Sequence, residues 1–90
     1  MGIVAVKIKI MPVSPETNLK KIEDEAEKAV ISLGGKNPSI TEEPIAFGLN
    51  AIILFFAWPE EKEIESLEKE LEKISDVNSV QVIDMRRAFG

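Results

Sequence analysis

The stretch Leu49-Asn50-Ala51-Ile52-Ile53-Leu54-Phe55-Phe56-Ala57-Trp58 is apolar at nearly every position. Its most apolar part, Ala51 to Trp58, covers about half of what a membrane span requires. A strand that is apolar on both sides expects cover, at least in part, on both faces, which places it in the middle of a sheet. Gly48 precedes it and Pro59 follows it.

Toward the N-terminus, a weaker extended segment spans Ser39 to Ala46 and is interrupted by Pro44. Proline cannot donate to a ladder, so this segment suits an edge strand, and Glu42 and Glu43 guard such an edge against mispairing. Further back, Leu19, Ile22, Ala26, Ala29, Val30 and Leu33 recur at steps of three and four, with Lys20, Lys21, Glu23, Glu25, Glu27 and Lys28 opposite. That spacing predicts an amphipathic helix. Ser14-Pro15-Glu16 provides its N-cap, first-turn proline and acid, and Gly34-Gly35 its left-handed stop. Before it, Ile3 to Met11 alternates, with Val4, Val6, Ile8 and Ile10 on one side and Lys7 and Lys9 on the other, as in a half-buried strand. Toward the C-terminus, Pro59-Glu60-Glu61 opens a second helix carrying Ile64, Leu67, Leu71 and Ile74, and Val77 to Met85 forms a last strand.

Strand, helix, strand, strand, helix, strand is the split βαβ plan of ferredoxin-like α+β folds. Right-handed crossovers put strands one and three in the centre, giving a four-stranded antiparallel sheet of order 4-1-3-2 with both helices on one face. The other face is left open. Ninety residues without a compositional break fit one domain over 1–90, and a chain of this size buries roughly 60–68% of its unfolded surface.

The composition excludes much chemistry. With no Cys and no His, disulfides and the usual zinc, copper and nickel ligands are missing, so no metal is expected. The same absence removes Ser-His-Asp and Cys-His catalysis, and no Walker lysine loop or dinucleotide glycine fingerprint is present, so no catalytic residue and no cofactor is expected. Eleven Lys plus Arg against 16 Asp plus Glu give a net charge of −5, which disfavours direct nucleic-acid binding. Strand one offers Ile3, Ala5, Lys7 and Lys9 where an RNA-recognition sheet wants stacking aromatics. The N-terminus lacks a basic segment ahead of a long apolar run, and Val6 stands where myristoylation wants Ser or Thr, so a cytoplasmic, unprocessed chain without membrane contact is expected. Glu42-Glu43 and Glu60-Glu61 read as a charged edge and a helix N-terminus rather than as an acid/base pair.

Three features go beyond fold maintenance. Glu43-Pro44-Ile45-Ala46-Phe47-Gly48 sets an aromatic beside glycine in a hairpin turn, where it either docks on a partner or folds back to plug the core. Asp84-Met85-Arg86-Arg87-Ala88-Phe89-Gly90 gathers two arginines and a phenylalanine at the end of an acidic chain, a tail able to probe a partner's pocket. The two apolar faces of strand three call for a partner or an internal cover, with homodimerisation as the competitor.

The chain resembles the archaeal elongation factor 1-beta family over its full length. The resemblance rests on Lys9-Ile10-Met11-Pro12 followed by Ser14-Pro15-Glu16, on Glu42-Glu43-Pro44-Ile45-Ala46-Phe47-Gly48-Leu49, and on Asp84-Met85-Arg86-Arg87. It implies a nucleotide-exchange factor for elongation factor 1-alpha, the GTPase that delivers aminoacyl-tRNA, working by docking and without making or breaking a bond. Pro44, Phe47 and Gly48 look like the Pro-x-x-aromatic-Gly hairpin whose aromatic lies against the GTPase in eukaryotic relatives. Those relatives end with a lysine next to the last residue, where this chain has Phe89. Either Arg86 or Arg87 takes the lysine's place from another register, or the archaeal type displaces the magnesium another way. The resemblance thus gives Phe47, Gly48, Arg86, Arg87 and Phe89 as partner-binding residues, on a chain expected to be monomeric when free.

A different reading is a dimeric small-molecule-binding regulatory module of the same fold, which would want a glycine-rich turn after strand one. Met11-Pro12-Val13-Ser14-Pro15 is proline-rich instead and leaves few backbone donors for a ligand. An acyl-phosphate hydrolase would want an arginine cradle in that loop, and none is there.

Overall fold

The computed structural model describes residues 2–89, and of 88–89 the backbone alone. The chain runs β1 (Ile3–Pro12), α1 (Leu19–Ser32), β2 (Lys36–Pro44), a 3-10 turn (Ala46–Gly48), β3 (Asn50–Pro59), α2 (Ile64–Glu72) and β4 (Val77–Phe89). The four strands form one sheet in the order β2-β3-β1-β4, every neighbouring pair antiparallel. This is the ferredoxin-like arrangement, 4-1-3-2 read from the other edge.

Alternation along β1 sorts the residues to the two faces. Val6, Ile8 and Ile10 are buried on one side together with Ile52, Leu54, Phe56 and Trp58 of β3, and against them lie Ile22, Ala26 and Val30 of α1 and Leu67 and Leu71 of α2. Both helices therefore cover the same face, and at about 25 cal/mol per Å² of buried apolar surface this layer supplies most of the driving force. On the other face of β3, Ala51 and Ile53 are also buried while Phe55 is 37% exposed. Lys7 lies across from Phe55 and sets its ammonium 4.8 Å from the ring centroid, so a lysine stem and a cation–π contact supply part of the internal cover.

Four elements differ in their boundaries from the sequence expectation. Helix α1 begins at Leu19, because Asn18 accepts the Lys21 N–H as N-cap and Ser14 is occupied in its own turn with Thr17. Helix α2 begins at Ile64, because Pro59 still pairs with Ile3 and the Glu60 N–H donates to the Gly2 carbonyl. Strand β2 starts early, at Lys36, and ends at Pro44, where the chain turns. Strand β4 runs to Phe89 instead of stopping at Met85, so the arginine segment is a strand paired along β1 rather than a free tail. Gly34, with φ +101°, ends α1 as expected.

Candidate functional site

The hairpin tip between β2 and β3 is tightly made. The Ile45 N–H donates to the Leu49 carbonyl at 2.7 Å and the Leu49 N–H to that of Ala46 at 3.4 Å. Between them Phe47 adopts φ +65°, ψ 28°, the left-handed region that a bulky L-residue enters at a cost of roughly 1–2 kcal/mol. Its ring is 94% exposed, so it does not plug the core. Gly48 follows with φ +77°, and a Cβ there would meet only the Pro15 Cβ at 4.0 Å. The loop after β1 thus stands beside the hairpin and adds Val13, 55% exposed, to the same end of the sheet. Phe47 is thus a strained, solvent-exposed aromatic on a hydrogen-bonded turn, and its ring buries little surface in its own chain.

The arginines stand at the other end. Ile3, at the start of β1, lies across from Phe89, whereas Ile10 lies across from Ile52 near the hairpin. Ala5 pairs with both Arg86 and Ala57, and from Ala57 to Asn50 at the foot of the hairpin turn is seven steps, so at ~3.3 Å each the two groups stand roughly 23 Å apart, in a molecule 41 Å long. The residues singled out from the sequence therefore form two groups, Phe47 with Gly48 and Arg86 with Arg87, the backbone of Phe89 closing the second.

Neighbouring positions on a strand face opposite ways. Arg86 lies across from exposed Ala5, on the open face, and its Nε approaches Asp84 Oδ2 at 3.1 Å. Arg87 lies across from Val4, on the helix side, and grips Glu60 by two contacts, Nε to Oε2 at 2.8 Å and Nη2 to Oε1 at 3.0 Å. Both partners were missed in the sequence. By sequence Asp84 belongs to the tail and Glu60, 27 residues from Arg87, to a helix N-terminus; no local pattern links two residues so far apart.

Two carboxyls are displaced from their ordinary range. Glu23 of α1 is raised from 4.5 to about 7, first by burial and then by the carboxyl of Glu42, which faces it from β2. Its Oε2 is buried without a hydrogen-bond donor, and a proton on Glu23 lets it donate to Glu42. Glu42 is an exposed charge on the edge strand β2, as expected, and there it faces Glu23 as well. Glu68 is raised by burial and by Glu65 and Glu72 on its own helix. Among the described residues no group of three or more acids is placed to hold a metal ion, and no helix is long and apolar enough to cross a membrane.

Residues 5–88 match the family described as the EF-1 guanine nucleotide exchange domain. The chain is 45% identical to elongation factor 1-beta of Methanosarcina barkeri over 89 residues, covering 97% of this chain and 99% of that one. It is 40% identical to elongation factor 1-beta of Methanococcus aeolicus, over 94% of this chain and 97% of the relative. With elongation factor 1-beta of Methanocaldococcus jannaschii the identity is 35%, over 98% of this chain and the whole of the relative. Near-complete coverage on both sides, on a ferredoxin-like sheet with a presented hairpin aromatic, means that the chain belongs to the EF-1 guanine nucleotide exchange domain family, whose role in translation elongation is nucleotide exchange.

Proposed function

We propose that this chain promotes exchange of GDP for GTP on elongation factor 1-alpha, acting as one exchange domain that docks on the GTPase and disturbs its magnesium and phosphate contacts. The observation that carries the reading is Phe47: a phenylalanine 94% exposed at positive φ on a hydrogen-bonded turn. It anchors the hairpin end on an apolar cleft of the GTPase, with Gly48 letting the backbone approach. The end of β4, with Arg86, Arg87 and Phe89, reaches a second place on the GTPase, where an arginine competes with magnesium or draws an acidic switch residue away. Two contacts roughly 23 Å apart suit a wedge better than a pocket-filling ligand.

The thermodynamics needs no bond chemistry. A factor that binds the nucleotide-free GTPase more tightly than the GDP form weakens GDP binding by the same factor. A thousandfold faster release corresponds to about 4 kcal/mol off the dissociation barrier, within reach of a few docked side chains. In this reading the free chain is a monomer and makes no direct nucleic-acid contact.

The test loads purified elongation factor 1-alpha with fluorescent GDP and chases with excess GTP. Release should accelerate with the intact chain, and much less with Phe47→Ala or with residues 88–90 deleted. An unchanged release rate with the intact chain would remove the proposal.

A further inference from the structure

The two arginines of β4 are held differently, and this separates their roles. Arg86 touches Asp84 through Nε alone, two residues away on its own strand, and its side chain is 80% exposed. Arg87 meets Glu60 edge to edge through Nε and Nη2, the paired geometry that fixes the plane of a guanidinium as well as its place. Glu60 is itself anchored, since its N–H donates to the Gly2 carbonyl at 3.0 Å directly after β3 ends. The contact therefore spans β1, tying the end of β3 to the end of β4 on the helix side.

An arginine held along one edge still has donors on the other. No second partner for the Arg87 guanidinium stands among the described residues, so its remaining N–H groups are available to an incoming anion. Arg87 is 62% exposed and Glu60 39%. A pair this open adds little to stability, yet it removes much of the rotamer freedom that binding would otherwise have to freeze.

Resting on the exchange reading above, we infer that Arg87, rather than Arg86, is the arginine that meets an anionic group of the GTPase, and that Glu60 is its positioning residue. The alternative that the fork merely braces β4 makes a different prediction. A brace can be inverted: exchanging the two residues keeps the ion pair but turns the cation away.

The experiment measures GDP release from elongation factor 1-alpha against concentration of the factor, with a thermal melt of every variant. Arg87→Ala and Glu60→Gln are each expected to raise the concentration for half-maximal release about fivefold, the scale of one charge-assisted pair at a partly exposed site. Arg86→Ala is expected to raise it less than Arg87→Ala, and Lys73→Ala, just after α2, to leave it unchanged. The double exchange Glu60→Arg with Arg87→Glu should melt like the wild type and still fail to restore release. The positioning role is overturned if Glu60→Gln matches or exceeds an active wild type, if Arg86→Ala does more harm than Arg87→Ala, or if the exchanged pair regains release. A wild type that does not accelerate release at all overturns the exchange reading itself and takes this role with it.

Discussion

Trp58 and Lys62 hold each other across the turn that follows β3: the indole Nε1–H donates to the Lys62 carbonyl at 3.1 Å, while the Lys62 Nζ reaches the Leu33 carbonyl at 2.6 Å. One lysine thus joins the end of the central strand to the C-terminus of α1. Trp58→Phe keeps an aromatic in the core but leaves a carbonyl without its donor, which should cost about 1–3 kcal/mol. Urea unfolding should show a lower midpoint with an unchanged slope. Lys62→Met, which loses only the exposed cap at the negative end of α1, should cost about 0.3–1 kcal/mol.

Gly35 is required for space rather than for its backbone angle. A Cβ there would stand 2.5 Å from Val30 Cγ1, 3.1 Å from the Val30 carbonyl oxygen and 3.2 Å from Trp58 Cε3. None of these can retreat, as Val30 and Trp58 are both buried. Gly35→Ala should destabilise by about 1–3 kcal/mol through overpacking. Chemical denaturation checks this, and a neutral result would mean that α1 shifts freely on the sheet.

Phe47 offers a test that separates docking from folding. Phe47→Gly relieves the left-handed strain and loses no buried surface, offset in part by a more flexible unfolded chain. Stability should stay level or rise by up to about 1 kcal/mol, while acceleration of GDP release falls at least tenfold. A loss of stability beyond about 1 kcal/mol would mean that the ring packs on its own domain in solution.

The Glu23 and Glu42 pair gives the fold a pH dependence of defined sign. The folded protein holds a proton on Glu23 up to about pH 7, whereas the unfolded chain releases it near 4.5. The raised value means that the contribution is fully present below pH 4.5, is lost as pH rises toward 7, and stays lost above it. Glu23→Gln keeps a donor for Glu42 at every pH. Melting temperatures of this variant should exceed those of the wild type at pH 8, and the fall between pH 4.5 and 7 should flatten. Parallel curves for the two proteins would show that the carboxyls do not meet.

Much of the fold was legible because its signals are local. Period-two alternation in Ile3 to Met11 and three-four spacing from Leu19 to Leu33 report which side of each element is apolar, and two helices and four strands in that order leave few topologies. Element ends were less legible. Ser14 and Asn18 are both competent caps, and Asn18 takes the role because Ser14 is engaged with Thr17 in the preceding turn. Beyond Met85 the residues are charged and read as a tail, yet their backbone groups find partners along β1.

The sequence by itself determined the two-layer sheet-and-helix plan, the absence of histidine and cysteine chemistry, and the hairpin and terminal segments as the places to look. Only the tertiary structure decided that Phe47 points into solvent, that it stands a sheet's length from the arginines, and that Arg87 pairs with Glu60 and Glu23 with Glu42. The reason is physical: periodicity fixes which way a side chain faces on its own element, whereas which distant side chains meet depends on strand register and layer packing, set by the whole core at once.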